Sequence, residues 1–432
     1  MDKNRKSAYY TLLDIENNMA YSNIALKHHI RRGKPDVPAF VRELTYGVIR
    51  NRLYLDFVIG NFVKTPIEKM DASDLTILRM GLYQLIFMNS VPEYAAVNES
   101  VDLAKRFAAG REGFVNGVLR QFIRDKDYVK LPDRSKDELA YLSIKYSYDP
   151  WIVKLWLESY DSETVEALLA AGNETPDFSI RTNLLKTSRE DLLARLSAKG
   201  FDARPSERAP YGLLVDGSNL LYSRFYKNGL FSVQDESSQI AVGILDPKEG
   251  ETIVDVCAAP GGKSLAMAER MRDRGRIYAW DIYLRKLSQL EQEARRLGIG
   301  IVETGTWDAT RVNSALINKA DRVLVDAPCS GLGVVRRKPE IKYKEVAGDL
   351  KELQAKQYEI LDASSNYVRP GGFLVYCTCT ISRDENQKIV SDFLRKHRGF
   401  ERLDTLQLLP NVDRMDGFFV CKMRRTENIL EE

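Results

Sequence analysis

The sequence is poor in the residues that build covalent or metal-held frameworks: five cysteines and three histidines in 432 residues. The odd cysteine count argues against a disulfide framework. Zinc is a poor reading too, because His28, His29 and His397 fall in no ligand pattern with the cysteines. No metal is therefore expected. No apolar run reaches membrane-spanning length, the best candidates being as short as "GLYQLIFM". The start, "MDKNRKSAYY", has no apolar stretch of the secretory kind, so a cytoplasmic protein is expected. Neither sign of charge dominates, the formal net charge being +3. Internal repeats and low-complexity segments are lacking as well.

What is present is the composition of a folded globular chain, 44% hydrophobic and 29% charged, long enough for two or three domains. Basic clusters at Arg31–Lys34, Arg336–Lys338 and Lys422–Arg425 suit a polyanion, although a solvated charged face is the commoner explanation for any one of them. The cysteines are unevenly placed. Cys377 and Cys379 stand one residue apart in "LVYCTCTIS", at the end of an apolar run that reads as a strand, so both point to one face.

Apolar spacings of three and four residues, with breakers at Pro92 and Gly110, predict an all-α domain over residues 1–130. Mixed helix and strand patterns predict a small α+β domain over 141–234, where "FSIRTNLL", "GLLVDG" and "GLFSVQD" read as strands. From residue 235 to 432 apolar strands alternate with amphipathic helices. That rhythm predicts an α/β, doubly wound and mostly parallel sheet of Rossmann-like type.

Ligands of such sheets sit at the carboxyl ends of the strands. There the sequence places "DVCAAPGGKS" (Asp255–Ser264), Asp281 after "RIYAW", Asp308 in "TWDAT", Asp326 and Cys329 in "DAPCSGLG", and Cys379. The first is neither a G-x-G-x-x-G nor a Walker loop; read alone, it leaves a plain tight turn between strand and helix as an alternative. A lone terminal Asp is often a helix N-cap, and a cysteine often only packs. An Asp281 carboxylate about twenty residues beyond a glycine loop suits the hydroxyls of a ribose.

"CAAPGGKS", "DAPCSGLGVVRRKPEIKY" and "YCTCTISRDEN" together resemble the signature motifs of the RNA cytosine-C5 methyltransferases that use S-adenosylmethionine, and "GLFSVQDESSQ" resembles the segment that precedes them. "VPEYAAVNESVDLAKRFAAGREGFVNGVLRQF" is similar to the RNA-binding NusB fold. The pairing resembles the bacterial 16S rRNA methyltransferases of the Sun/Fmu type over nearly the whole chain. Departures are mild: Cys377 stands where Ala or Ser is commoner, and Thr380 where Ser is common.

The resemblance implies a methyltransferase domain holding S-adenosylmethionine, an RNA-binding helical domain and a 16S rRNA substrate, in an early, protein-poor assembly state. A monomer is expected. It implies that Cys257, Ala258, Ala259, Pro260, Gly261, Gly262 and Lys263 hold the methionine part, Asp281 the ribose and Asp308 the adenine, with Asp326 where cofactor and base meet. Cys379 would attack C6 of the base and Cys329 would serve its release, while Cys257, Cys377 and Cys421 pack. The chemistry explains the pair of thiols. C5 of cytosine is a poor nucleophile until addition at C6 makes it enamine-like. A tRNA cytosine-C5 methyltransferase, an amino-group methyltransferase and a non-catalytic rRNA-binding factor stand as alternatives; the second usually shows [DN]-P-P-[YF] where this chain has "DAPC".

Overall fold

A computed structural model of the chain describes residues 2–18, 21–216, 219–343 and 349–426. Two compact units emerge: residues 1–173 with 335–344, and 174–334 with 345–432. None of the described helices is long and apolar enough to cross a membrane.

The first unit is helical: α1 (Lys3–Asn18), α2 (Ser22–Gly33), α3 (Pro38–Arg50), α4 (Arg52–Gly60), α5 (Ala72–Phe87), α6 (Glu93–Phe107), α7 (Glu112–Asp125), α8 (Glu138–Tyr146), α9 (Pro150–Leu157) and α10 (Ser162–Ala171). Its core gathers fully buried side chains such as Val41, Leu44, Ile77, Leu78 and Leu119. Aspartates start several helices by accepting a backbone N–H, as Asp71 does from Ser73 and Asp161 from Thr164. α4 lacks a side-chain cap of its own. Its first turn is served by Ser147 Oγ, which accepts from Leu53 N at 2.8 Å and Tyr54 N at 3.3 Å. That bond ties the end of α8 to α4, and the helical unit runs on past residue 130 to Asn173.

Residues 335–343 belong to this unit. Glu340 accepts from Ser22 N and Oγ at the start of α2 (3.2 and 2.8 Å). Lys342 is fully buried and donates to the carbonyls of Arg50 and Tyr146 (2.9 and 3.2 Å) and to the Asn173 side chain. Of the basic run Arg336–Lys338, one of the clusters suited to a polyanion, Arg336 is buried and Lys338 is exposed.

The second unit holds two sheets. The smaller is antiparallel, ordered β2-β3-β1-β4, from β1 (Ser179–Thr182), β2 (Asp202–Pro205), β3 (Gly212–Asp216) and β4 (Phe231–Val233). Helices α11 (Arg189–Ser197) and α12 (Arg224–Lys227) accompany it, around Ile180, Leu192, Leu196, Leu213 and Phe231.

The larger sheet is ordered β10-β11-β9-β8-β5-β6-β7, from β5 (Thr252–Asp255), β6 (Arg276–Asp281), β7 (Val302–Thr306), β8 (Ala320–Asp326), β9 (Val368–Thr378), β10 (Phe400–Leu408) and β11 (Phe418–Arg425). Pairs among β5 to β9 are parallel and those of β11 antiparallel. Its helices are α13 (Glu236–Leu245), α14 (Gly262–Arg270), α15 (Leu284–Leu297), α16 (Asp349–Ser365) and α17 (Gln387–Lys396). Two apolar clusters cover its faces, one around Ile253, Met267 and Leu290, the other around Val325, Tyr376 and Phe393. Covering both faces explains the near-continuous apolar strands. The switch in strand order lies between β5 and β8, the place where ligands of such sheets bind.

Candidate active site

Every sequence-predicted site residue lies at the carboxyl edge of the large sheet. The glycine loop follows β5, and Gly261 has φ +104°, a conformation that side chains resist. A Cβ there would meet Leu290 Cγ at 2.4 Å. Ala258 N donates to Trp280 O (2.8 Å), Gly261 N to Ala258 O (2.7 Å) and Ala259 N to Asp281 Oδ2 (3.2 Å). The loop thus spends these donors on its own shape, and one of them on Asp281, whose Oδ1 also takes Tyr283 N (2.9 Å).

Behind the loop, Arg181 of β1 donates to Gly262 O at 2.9 Å and pairs with Glu269 of α14 through two bonds of 2.9 and 2.8 Å. Both side chains are buried, and Arg181 also bonds the Gln234 side chain. The small sheet thereby braces the start of α14.

Lys263 turns away from the loop. Its Nζ meets Asp326 Oδ2 at 2.6 Å and lies over the Phe418 ring. Burial opposes its charge, but Asp326 and the nearby Cys377 and Cys379 hold its pKa above the ordinary lysine value. Asp326 Oδ1 faces the buried Cys377 thiol at 3.4 Å. Burial, then Asp326, pushes that thiol well up, so Cys377 stays protonated and donates. Asp308 is exposed and closes a local turn, accepting from Thr310 N (3.0 Å) and Oγ1 (2.7 Å). Cys257 is half-buried and Cys421 buried, and burial raises both thiols.

The two remaining cysteines meet. Cys329, from the loop after β8, and Cys379, just past β9, place their sulfurs 3.2 Å apart, and both are partly exposed. The hydrogen bond with Cys379 raises the Cys329 pKa most, followed by burial and the charges of Cys379 and Glu385. Two thiols, a lysine and a carboxylate thus converge beside a glycine loop.

The family described as 16S rRNA methyltransferase RsmB/F matches residues 242–424, the NusB family residues 2–124, and the ferredoxin-like domain of RsmF/B-like methyltransferases residues 148–219. The probable ribosomal RNA small subunit methyltransferase B of Bacillus subtilis is 35% identical, over 98% of this chain and 98% of its own. The chain belongs to the 16S rRNA methyltransferase RsmB/F family. The ribosomal RNA small subunit methyltransferase B of Photorhabdus laumondii is 32% identical over 89% of this chain and 90% of its own. Among solved structures, PH0851 matches with a TM-score of 0.82 at 26% identity, over 97% of this chain and 98% of that one. A methyltransferase homolog from Pyrococcus horikoshii matches with 0.61 at 26% identity, over 67% of this chain and 99% of that one.

This RsmB/F enzyme is an S-adenosylmethionine-dependent 16S rRNA methyltransferase with a Rossmann-like catalytic sheet and a NusB-like helical region. Its residues fit the cofactor. Gly261 lets the loop turn tightly against Leu290, and at the end of β5 Asp255 Oδ1 is buried without a hydrogen bond. Ile282 and Tyr283 leave an exposed apolar shelf beside Asp281.

Sequence reasoning passed over Arg181, Gln357 and Glu385. The last two hold the cysteine loop, as described below. "SRDEN" carried the only signal for Glu385, a carboxylate close behind the cysteines in the same motif. Arg181 lies within the strand read at "FSIRTNLL" and Gln357 within a helical run, and neither stretch carries a glycine or cysteine motif.

Proposed function

We propose that this enzyme methylates C5 of one cytosine in 16S rRNA through a transient bond between Cys379 Sγ and C6 of the base. The observation that carries this reading is the 3.2 Å approach of Cys329 and Cys379 beside the Lys263–Asp326 ion pair. Residues 257–262, Asp281 and Asp308 would hold S-adenosylmethionine, which would supply an electrophilic methyl group.

The hydrogen bond with Cys379 and burial raise the Cys329 pKa and keep its proton there, which leaves Cys379 as the attacking sulfur, in its thiolate form. A Cys379 sulfur pair forms the bond to C6, and the C5=C6 electrons become available at C5 for the methyl group. Asp326, paired with the Lys263 ammonium, acts as a carboxylate acceptor for the base's amino group. The Lys263 ammonium lies 2.6 Å from that carboxylate. Lys263 then lies where charge builds on the ring.

Adduct formation removes the Cys379 charge and its hydrogen bond, two of the causes that raise Cys329. Cys329 then yields its proton to solvent and takes the one on C5. The C5–H pair re-forms C5=C6, and the S–C6 pair returns to Cys379. The cycle ends with one proton released and both sulfurs restored.

Exchange of each cysteine tests this. Cys379→Ser abolishes methylation and forms no adduct, whereas Cys329→Ala attacks and traps RNA on a denaturing gel. An adduct with the first variant and none with the second reverses the roles. The target base must leave its stack to reach Cys379, which favours a single-stranded loop. In the helical unit a cavity of about 430 Å³ lined by Lys3, Lys6, Tyr10, His29 and Arg32 supports phosphate contacts there. We further take the enzyme to be a cytoplasmic monomer acting on protein-poor rRNA.

A further inference from the structure

The flanks of Cys329 are held from two directions. On one side, Pro328 O accepts from Gln357 Nε2 of α16 at 2.9 Å. On the other, Ser330 N donates to Glu385 Oε2 at 2.8 Å and Ser330 Oγ to Glu385 Oε1 at 2.6 Å. Gln357 Nε2 also donates to Glu385 Oε2 at 3.0 Å, closing a ring of bonds around the cysteine's two peptide neighbours. Gln357 and Glu385 are both fully buried.

The same carboxylate reaches the other cysteine. Glu385 Oε1 accepts from Thr380 Oγ1 at 3.2 Å, and Ser330 Oγ lies 2.9 Å from that hydroxyl. The next residue, Asn386, accepts from Thr378 Oγ1 at 2.5 Å and donates to Thr380 O at 3.0 Å. Cys379 thus sits between two threonines fixed by Asn386, and Cys329 between two residues fixed by Glu385 and Gln357. Glu385 is itself anchored, its carbonyl accepting from the buried Tyr376 hydroxyl at 2.7 Å.

A fully buried carboxylate is costly to maintain unless its oxygens are paired. This one takes in donations from Ser330 N, Ser330 Oγ, Gln357 and Thr380. Three of the four hold the cysteine loops or link them. Packing alone would be served by an apolar side chain; a carboxylate is needed where a backbone N–H and hydroxyls must be gathered at one point.

We infer that Glu385 and Gln357 are positioning residues that set the Cys329 sulfur for the release half of the reaction. The inference rests on the covalent reading above. Release requires the Cys329 sulfur to reach the C5 hydrogen while Cys379 is still bonded to C6, and a loop held at only one flank would let that distance drift. Glu385 also places a negative charge near Cys329, which strengthens that sulfur as a base once its proton has gone. Attack by Cys379 depends on the Asn386 side of the network and proceeds without the clamp.

The full-length enzyme, a 16S rRNA fragment and S-adenosylmethionine test the inference. The variants are Glu385→Gln, Gln357→Leu and Ser330→Ala, with Cys329→Ala and Cys379→Ser as controls. Cofactor titration reports whether each variant retains a folded crevice, and Gln357→Leu and Ser330→Ala carry the test should Glu385→Gln lose it. Glu385→Gln and Gln357→Leu are expected to complete a first methyl transfer yet accumulate the covalent RNA adduct with both cysteines present. Their steady-state turnover falls roughly 10- to 100-fold, the scale of a loosened reacting geometry. Adding Cys379→Ser to either removes the adduct.

A purely structural role would lower all steps together and trap nothing. Variants that turn over without accumulating adduct, while Cys329→Ala traps it, overturn the inference and leave the covalent reading standing. Loss of the first methyl transfer itself, with cofactor binding intact, overturns it also, since the clamp would then serve attack. Failure of Cys329→Ala to trap RNA strikes the covalent reading instead.

Discussion

Lys263 and Asp326 face each other at 2.6 Å, one leaving the glycine loop and the other ending β8. The family resemblance placed Lys263 with the cofactor's methionine part, yet its ammonium is spent on the carboxylate beside Cys377. Lys263→Met should therefore leave S-adenosylmethionine affinity within a few-fold of the wild type. Turnover should drop by about 100-fold or more, because a fixed cation is lost where charge develops on the base. Isothermal titration and single-turnover methylation separate the two. Should affinity fall as far as turnover, Lys263 serves the cofactor.

Much of this arrangement was legible in the sequence because strand ends, glycines and cysteines leave local marks. β5, β6, β8 and β9 are apolar runs ending in chemistry-bearing residues, so the carboxyl-edge site followed from topology. β10 escaped notice because five of its residues, Glu401 to Thr405, are exposed and show no alternation. β2 is a short edge strand with little burial and escaped for the same reason. The partners of the site were hidden differently. Arg181 reaches Glu269 across 88 residues, and Gln357 reaches Pro328 across 29, distances that no local pattern encodes. Cys377 was read as packing; it is buried, but its thiol also meets Asp326.

Asp255 links stability to pH. It is 1% exposed, and burial raises its carboxyl from 3.8 to about 7 although the Ser264 hydroxyl donates to it. Between those two values the folded chain holds a proton that the unfolded chain has lost. Its contribution is complete at the acid end and disappears as pH rises towards neutrality. Asp255→Asn removes this dependence. Denaturant titrations across that window should show wild-type stability falling relative to the variant, by up to about 4 kcal/mol at the alkaline end. A constant difference between the two proteins would mean that Asp255 is charged throughout.

The helical unit offers the remaining prediction. Lys3, Lys6 and Arg32 line one cavity of the unit, with the Tyr10 ring exposed among them. If these cations contact phosphates, each releases counterions on binding. Exchanging all three for Gln should flatten the dependence of log affinity on log salt by about 2. The first methyl transfer at saturating RNA should stay close to wild type, because none of the three lies in the catalytic unit. Filter binding of a 16S rRNA fragment at several salt concentrations reads the slope directly. An unchanged slope removes this cavity from the RNA path, whereas a loss of affinity equal at every salt concentration would point to damaged folding rather than to lost phosphate contacts.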